Sequence, residues 1–126
     1  KIAATLRTLH EFPGRLLVLF QPHGYGPLNK MKAEFIDCFA TCLAADDILA
    51  MPEPAYFGGT VDRATSSADI AAGVAARGRI ASAFATRDEC GAFLLSEARP
   101  ADRLIVMGAR DDTLSAFAAG LLAKLG

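Results

Sequence analysis

Four short apolar runs, Leu16–Phe20, Ile48–Met51, Ile80–Phe84 and Leu104–Met107, recur along the chain with roughly 20 to 30 residues between one and the next. The intervals hold apolar residues at helical spacing. Strands joined through connections of that length pair in parallel, by right-handed crossovers that each contain a helix. Leu16–Phe20 is apolar without alternation, the pattern of a strand covered on both faces and so central in its sheet. Leu104–Met107 reads as a buried strand in the same way. Ahead of the first run, Ile2, Leu6 and Leu9 predict an opening helix, which Phe12, Pro13 and Gly14 end. The predicted fold class is α/β: a Rossmann-like three-layer domain over residues 1–126, with a mostly parallel sheet of at least four strands and helices on both faces.

The helices declare themselves by stripes and caps. Leu28, Met31, Phe35, Phe39 and Cys42 form one apolar stripe, with Lys30, Glu34 and Asp37 facing away. Ser66 and Asp69 have capping-box spacing before Ile70 and Val74, and Gly78 stands at the stop. Thr86 and Glu89 repeat the box before Cys90, Phe93, Leu94 and Ala98, and Pro100 breaks that helix. Asp112 can cap a last helix with Leu114, Phe117, Ala118, Leu121 and Leu122 inward. Pro52 and Pro54 open a long loop through Tyr56, Gly58, Gly59 and Asp62, and loops of such length usually serve a purpose.

Composition narrows the class of function. In 126 residues, 52% hydrophobic and 21% charged, there is material for one good core and none of the signature of disorder. The 13 basic and 14 acidic side chains are interspersed and nearly cancel, so no summed field draws this surface to nucleic acid or to a membrane. No apolar run approaches the ~20 residues needed to cross a bilayer. Three widely placed cysteines fit a reducing compartment, and the chain reads as cytoplasmic. Because Lys1 already lies within a helical repeat, the true N-terminus is expected further upstream.

In an open parallel sheet, ligands bind beyond the carboxyl ends of strands where the winding reverses. Two segments qualify. QPHGYGPL, after the first run, offers Gln21, His23 and Tyr25 among glycines; GARDD, after the last, offers Gly108, Arg110, Asp111 and Asp112 as an anion-receiving turn at a helix start. Plainer roles compete: Asp112 as an N-cap, Arg110 as a solvated side chain, His23 as a turn residue. His10, at a polar helix end, reads as inert. Cys38 and Cys42 sit one helical turn apart without the further ligands zinc needs, so they and Cys90 read as small core residues and no metal site is expected. The sequence contains neither GxxxxGK[ST] nor GxGxxG.

LLVLFQPHGYGPL resembles the C-terminal domain of the Mur ligases, especially their UDP-N-acetylmuramate:L-alanine ligase branch. KIAATL is similar to that family's EIAATL, FIDCFATCLAADDIL matches its helix in spacing, and MGARDD resembles its closing MGAGD, so the likeness spans nearly the whole chain. The resemblance implies one part of a larger enzyme in peptidoglycan synthesis. Its N-terminal and central ATPase domains would lie outside this chain, and this domain would close over the site as a lid. ATP, with Mg in the parent, activates a UDP-linked muramic acid carboxylate as an acyl phosphate, and an amino acid or peptide amine displaces phosphate to form an amide. This domain alone is expected to bind neither cofactor tightly. Gln21, His23 and Tyr25 fall where the family lines the amino-acid side of the cleft. The family's loop reads FQPHRYTR, whereas here its arginines are Gly24 and Pro27, which leaves the amino acid open; Lys30 is the candidate for a displaced cation, or a solvated helix residue. A DDYGHHP-like segment is expected upstream of Lys1. The competing reading is a stand-alone Rossmann-like binding or regulatory module without catalysis.

Overall fold

The computed structural model describes residues 2–22, 30–53, 66–108 and 114–125. These form α1 (Ile2–Leu9), β1 (Leu16–Gln21), α2 (Lys32–Cys42), β2 (Ile48–Pro52), α3 (Ser67–Ala76), β3 (Ile80–Phe84), α4 (Arg87–Glu97), β4 (Arg103–Gly108) and α5 (Leu114–Leu125). The strands make one four-stranded sheet in the order β3-β2-β1-β4, with every pairing parallel. That is the predicted alternation. β1 is buried along its whole length, as the unbroken apolar run requires of a central strand.

Side-chain alternation along β1 divides the core in two. Leu16, Val18 and Phe20 pack with Leu6 of α1, Phe39 of α2, Leu43, and Ile70 and Val74 of α3. Leu17 and Leu19 point the other way, against Cys90 and Leu94 of α4, with Phe117 of α5 alongside. Helices therefore cover both faces, giving three layers.

Of the two capping boxes that the spacing predicts, the first forms in full and the second shows the hydroxyl half. Ser66 and Asp69 form a full reciprocal box, and the Thr86 hydroxyl accepts from the Glu89 N–H. At the end of α3, the Arg79 N–H reaches the Val74 carbonyl and the Gly78 N–H that of Ala75, closing the helix with Gly78 at φ +89°. The cap assigned to Asp112 lies outside the described residues, as do the side chains of Leu114 and Leu122.

Three expectations are corrected. Met31 is 43% exposed because α2 begins one residue later and the stripe starts at Phe35. β4 is half-buried, since among the described strands it pairs with β1 alone. His10 is not inert: its Nε2 lies 2.7 Å from Oδ2 of Asp47, a carboxylate that is itself 1% exposed.

The chain's turn into the sheet is fixed by charge. Arg15 grips Asp102 through Nε and a terminal nitrogen (3.2 and 2.6 Å) and also donates to the Glu97 carbonyl. Arg103 donates to the carbonyls of Leu9, Phe12 and Gly14, which ties the end of α1 to the start of β4. The Arg15 hydrogen bond, opposed by burial, holds the Asp102 carboxyl below the usual carboxylate range. A carboxylate whose pKa is depressed on folding stabilises the fold above its unfolded pKa, about 3.9, and loses that contribution as pH falls through the lower folded value. Urea unfolding at a series of pH values from 6 to 2 is therefore expected to show a smaller loss below about pH 4 in Asp102→Asn than in the native chain. Identical pH profiles would contradict this.

Candidate functional site: the rim at the tips of β1 and β4

Strand order decides where a ligand can approach. The chain winds outward from β1 to β2 to β3, then returns past β1 to lay down β4 on its other side. The winding therefore reverses between β1 and β4, and the adjoining helices diverge to opposite faces there, the place at which open α/β sheets take ligands.

β1 and β4 are paired through six residues, from Leu16 opposite Arg103 to Gln21 opposite Gly108. The last residue of each strand is thus the neighbour of the other. QPHGYGPL and GARDD, separate in sequence, leave the sheet from adjacent strand ends on one rim.

Gln21 is 9% exposed, and among the described residues its side-chain amide makes one long bond, 3.5 Å to the Pro22 carbonyl. Alternation places its side chain on the face of Leu17 and Leu19, the side of α4 and α5. Lys30 is exposed just ahead of α2. Gly108 holds φ +132°. His23, Tyr25, Arg110, Asp111 and Asp112 lie outside the described residues. The rim that can be described offers a buried carboxamide and bare backbone, which suit hydrogen bonding and close approach rather than proton transfer.

Two of the three cysteines are held in the thiol form. Burial pushes the Cys90 thiol up to about 12, and burial followed by the neighbouring Cys42 raises that of Cys38. Cys38 and Cys42 are half-buried, less enclosed than a pure core reading expects. Among the described residues, no three His, Cys, Asp or Glu side chains gather as a metal site.

Sequence reasoning missed Asp47 and the steric part played by Gly108. Asp46 and Asp47 look alike as a polar pair before a strand, and only the fold buries one of them.

The sequence profile of the family described as "Mur ligase, glutamate ligase domain" matches residues 1–110. The chain belongs to the Mur ligase family. Proteins named UDP-N-acetylmuramate–L-alanine ligase from Cereibacter sphaeroides, a Jannaschia species and Paracoccus denitrificans are 34%, 32% and 32% identical to it over 127 aligned residues, covering 99% of this chain and 26% of each relative. The chain thus spans about a quarter of the length of these relatives. For this Mur ligase chain, the likeness seen at FQPH and MGARDD in the sequence extends through every described element. Among the described residues, no helix is long and apolar enough to cross a membrane.

Proposed function

We propose that this Mur ligase chain is the C-terminal, amino-acid-side domain of a cytoplasmic, ATP-dependent ligase. The parent joins a UDP-N-acetylmuramic-acid-type carboxylate to an amino acid or peptide through an amide bond, in peptidoglycan synthesis. The observation that carries the reading is the register of Gln21 against Gly108, which brings the two family-like segments to one rim at the sheet's switch point.

Nothing among the described residues fits a triphosphate and its metal. The sequence has no P-loop, and the described rim has no carboxylate group to hold Mg. Both are assigned to the rest of the parent, and no step is routed through them here. What this domain contributes is position: holding the incoming amine against an activated acyl carbon turns a bimolecular encounter into an oriented one, and closure of the lid keeps water from competing. The amine nitrogen bonds to the acyl carbon, phosphate leaves with the bonding pair, and the nitrogen loses a proton. Gln21, His23 and Tyr25 are the side chains proposed to line the amine's approach, with Lys30 as the cation left after Gly24 and Pro27 replace the arginines.

The test is phosphate release by the full-length protein with ATP, UDP-N-acetylmuramate and a panel of amino acids and dipeptides, with the amide product identified by mass. Release that requires both the nucleotide sugar and one member of the panel is expected. A full-length protein that forms no amide with any of them, while the isolated chain binds a nucleotide tightly and one to one in calorimetry, would establish the stand-alone module instead.

A further inference from the structure

The β1–β4 pair is bracketed by two glycines that do the same thing at opposite ends. Gly14 (φ +114°) precedes β1, and a Cβ built there would lie 2.5 Å from the carbonyl oxygen of Ala101, just ahead of β4. Gly108 (φ +132°) closes β4, and a Cβ there would fall on the carbonyl oxygen of Gln21 and 2.8 Å from its nitrogen. Both positions combine a backbone conformation that L side chains rarely adopt with contact against rigid main chain. No rotamer relieves either clash, because the obstruction is backbone rather than the end of a flexible side chain.

Their surroundings differ. Gly14 sits at the amino pole, where Arg103 also holds its carbonyl. Gly108 sits at the carboxyl pole, on the switch-point rim, opposite the buried Gln21.

We propose that Gly108 is a positioning residue of the ligase. By carrying no side chain it lets the tip of β4 lie flush against the tip of β1, which sets the spacing of the two strand ends, Gln21 and Gly108, on the rim. Any larger residue must push the tips apart, and Gln21, being part of the obstructing backbone, moves with them. This inference rests on the function proposed above and adds to it a residue that acts without touching substrate.

Gly14 provides the matched control. In the full-length protein, Gly108→Ala is expected to lower kcat/KM for the amino acid by about tenfold to a hundredfold, the scale on which an ångström of misplacement acts. The KM for UDP-N-acetylmuramate should stay within twofold. Gly14→Ala, with similar strain at the far pole, is expected to lower thermal stability comparably while kcat/KM stays within twofold. Equal losses of activity in the two variants, or a Gly108→Ala effect under threefold, would overturn the assignment.

Should Gly108→Ala not fold, hydrogen exchange in the native full-length protein decides. With saturating UDP-N-acetylmuramate, the amino acid used in turnover and a non-hydrolysable ATP analogue, peptides covering Phe20–Gln21 and Met107–Gly108 are expected to exchange at least tenfold more slowly, and peptides covering Gly14 and Ala101 at an unchanged rate. Equal slowing at both poles, or none at the rim, refutes it. A full-length protein that forms no amide removes the proposed function, whereas an active enzyme indifferent to residue 108 removes only this inference.

Discussion

Replacing Asp47 with alanine is expected to cost this domain about 4 kcal/mol of unfolding free energy, because the change strands a buried donor and two part-buried partners at once. One carboxylate oxygen accepts the backbone N–H of Leu16 at 2.9 Å, and the other accepts that of Ala44 at 2.8 Å and faces His10 Nε2 at 2.7 Å. Leu16 is fully buried at the start of the central strand, so its N–H has no recourse to water. The single side chain thereby ties α1, the α2–β2 turn and β1 together. Asp47→Asn should lose about half as much, since its amide oxygen can still serve one donor while its NH2 group confronts another. His10→Ala removes one of the three partners and should cost only about 1 kcal/mol. Urea unfolding of the three variants measures all of this, and a loss below about 1 kcal/mol for Asp47→Ala would show that the turn satisfies these donors in another way.

Phe39→Ala should be comparably damaging, at about 3 to 5 kcal/mol. The side chain is wholly buried within α2, with its ring 5.3 Å from that of Phe20, edge to face, and the Phe35 ring lies 5.5 Å from that of Phe20. Leu6 of α1 and Ile70 of α3 belong to the same cluster, so truncation opens a cavity at the meeting point of several elements rather than at an edge that can collapse. Phe39→Leu, which keeps most of the volume, should cost about 1 kcal/mol. Similar losses for the two substitutions in denaturant unfolding would mean that shape, and not enclosed volume, sets the penalty.

Asp47 and Phe39 are unequally legible in the sequence. Phe39 stands in an apolar stripe whose period announces which face is inward, and hydrophobic burial is non-directional, so a pattern suffices to predict it. Asp47 follows Asp46 with nothing to separate them. Its value comes from Leu16 and His10, which approach from distant parts of the chain to join the nearby Ala44 N–H, and hydrogen bonds are directional. The same contrast explains His10, read as a solvated helix end and found opposite a buried carboxylate. It also explains β4, whose apolar composition matches that of β1 although one is central and the other bordered by a single neighbour. Apolar runs tell that a strand is covered; they do not tell from how many sides.

The candidate site divides along the same line. Which segments follow which strands was legible from punctuation by proline and glycine, and the resemblance at FQPH named their family. That the ends of β1 and β4 share one rim was expected of a parallel sheet, but their being direct neighbours depends on β4 returning to the far side of β1, a choice of strand order that no local sequence encodes. Nor does local sequence show the part given to Gly108, where a glycine ending a strand is commonplace and only the Gln21 backbone beside it makes a side chain intolerable.

By itself, then, the amino-acid order determined the alternation of helix and strand, the parallel sense of the sheet, the inward faces and the helix caps. These rest on periodicity and on bonds between residues three or four apart. Tertiary structure alone decided the order β3-β2-β1-β4, the burial of Asp47 and the contact of Gly108 with Gln21. Each of these needs groups tens of residues apart to arrive at fixed distance and direction, and only the packing of the whole chain supplies that.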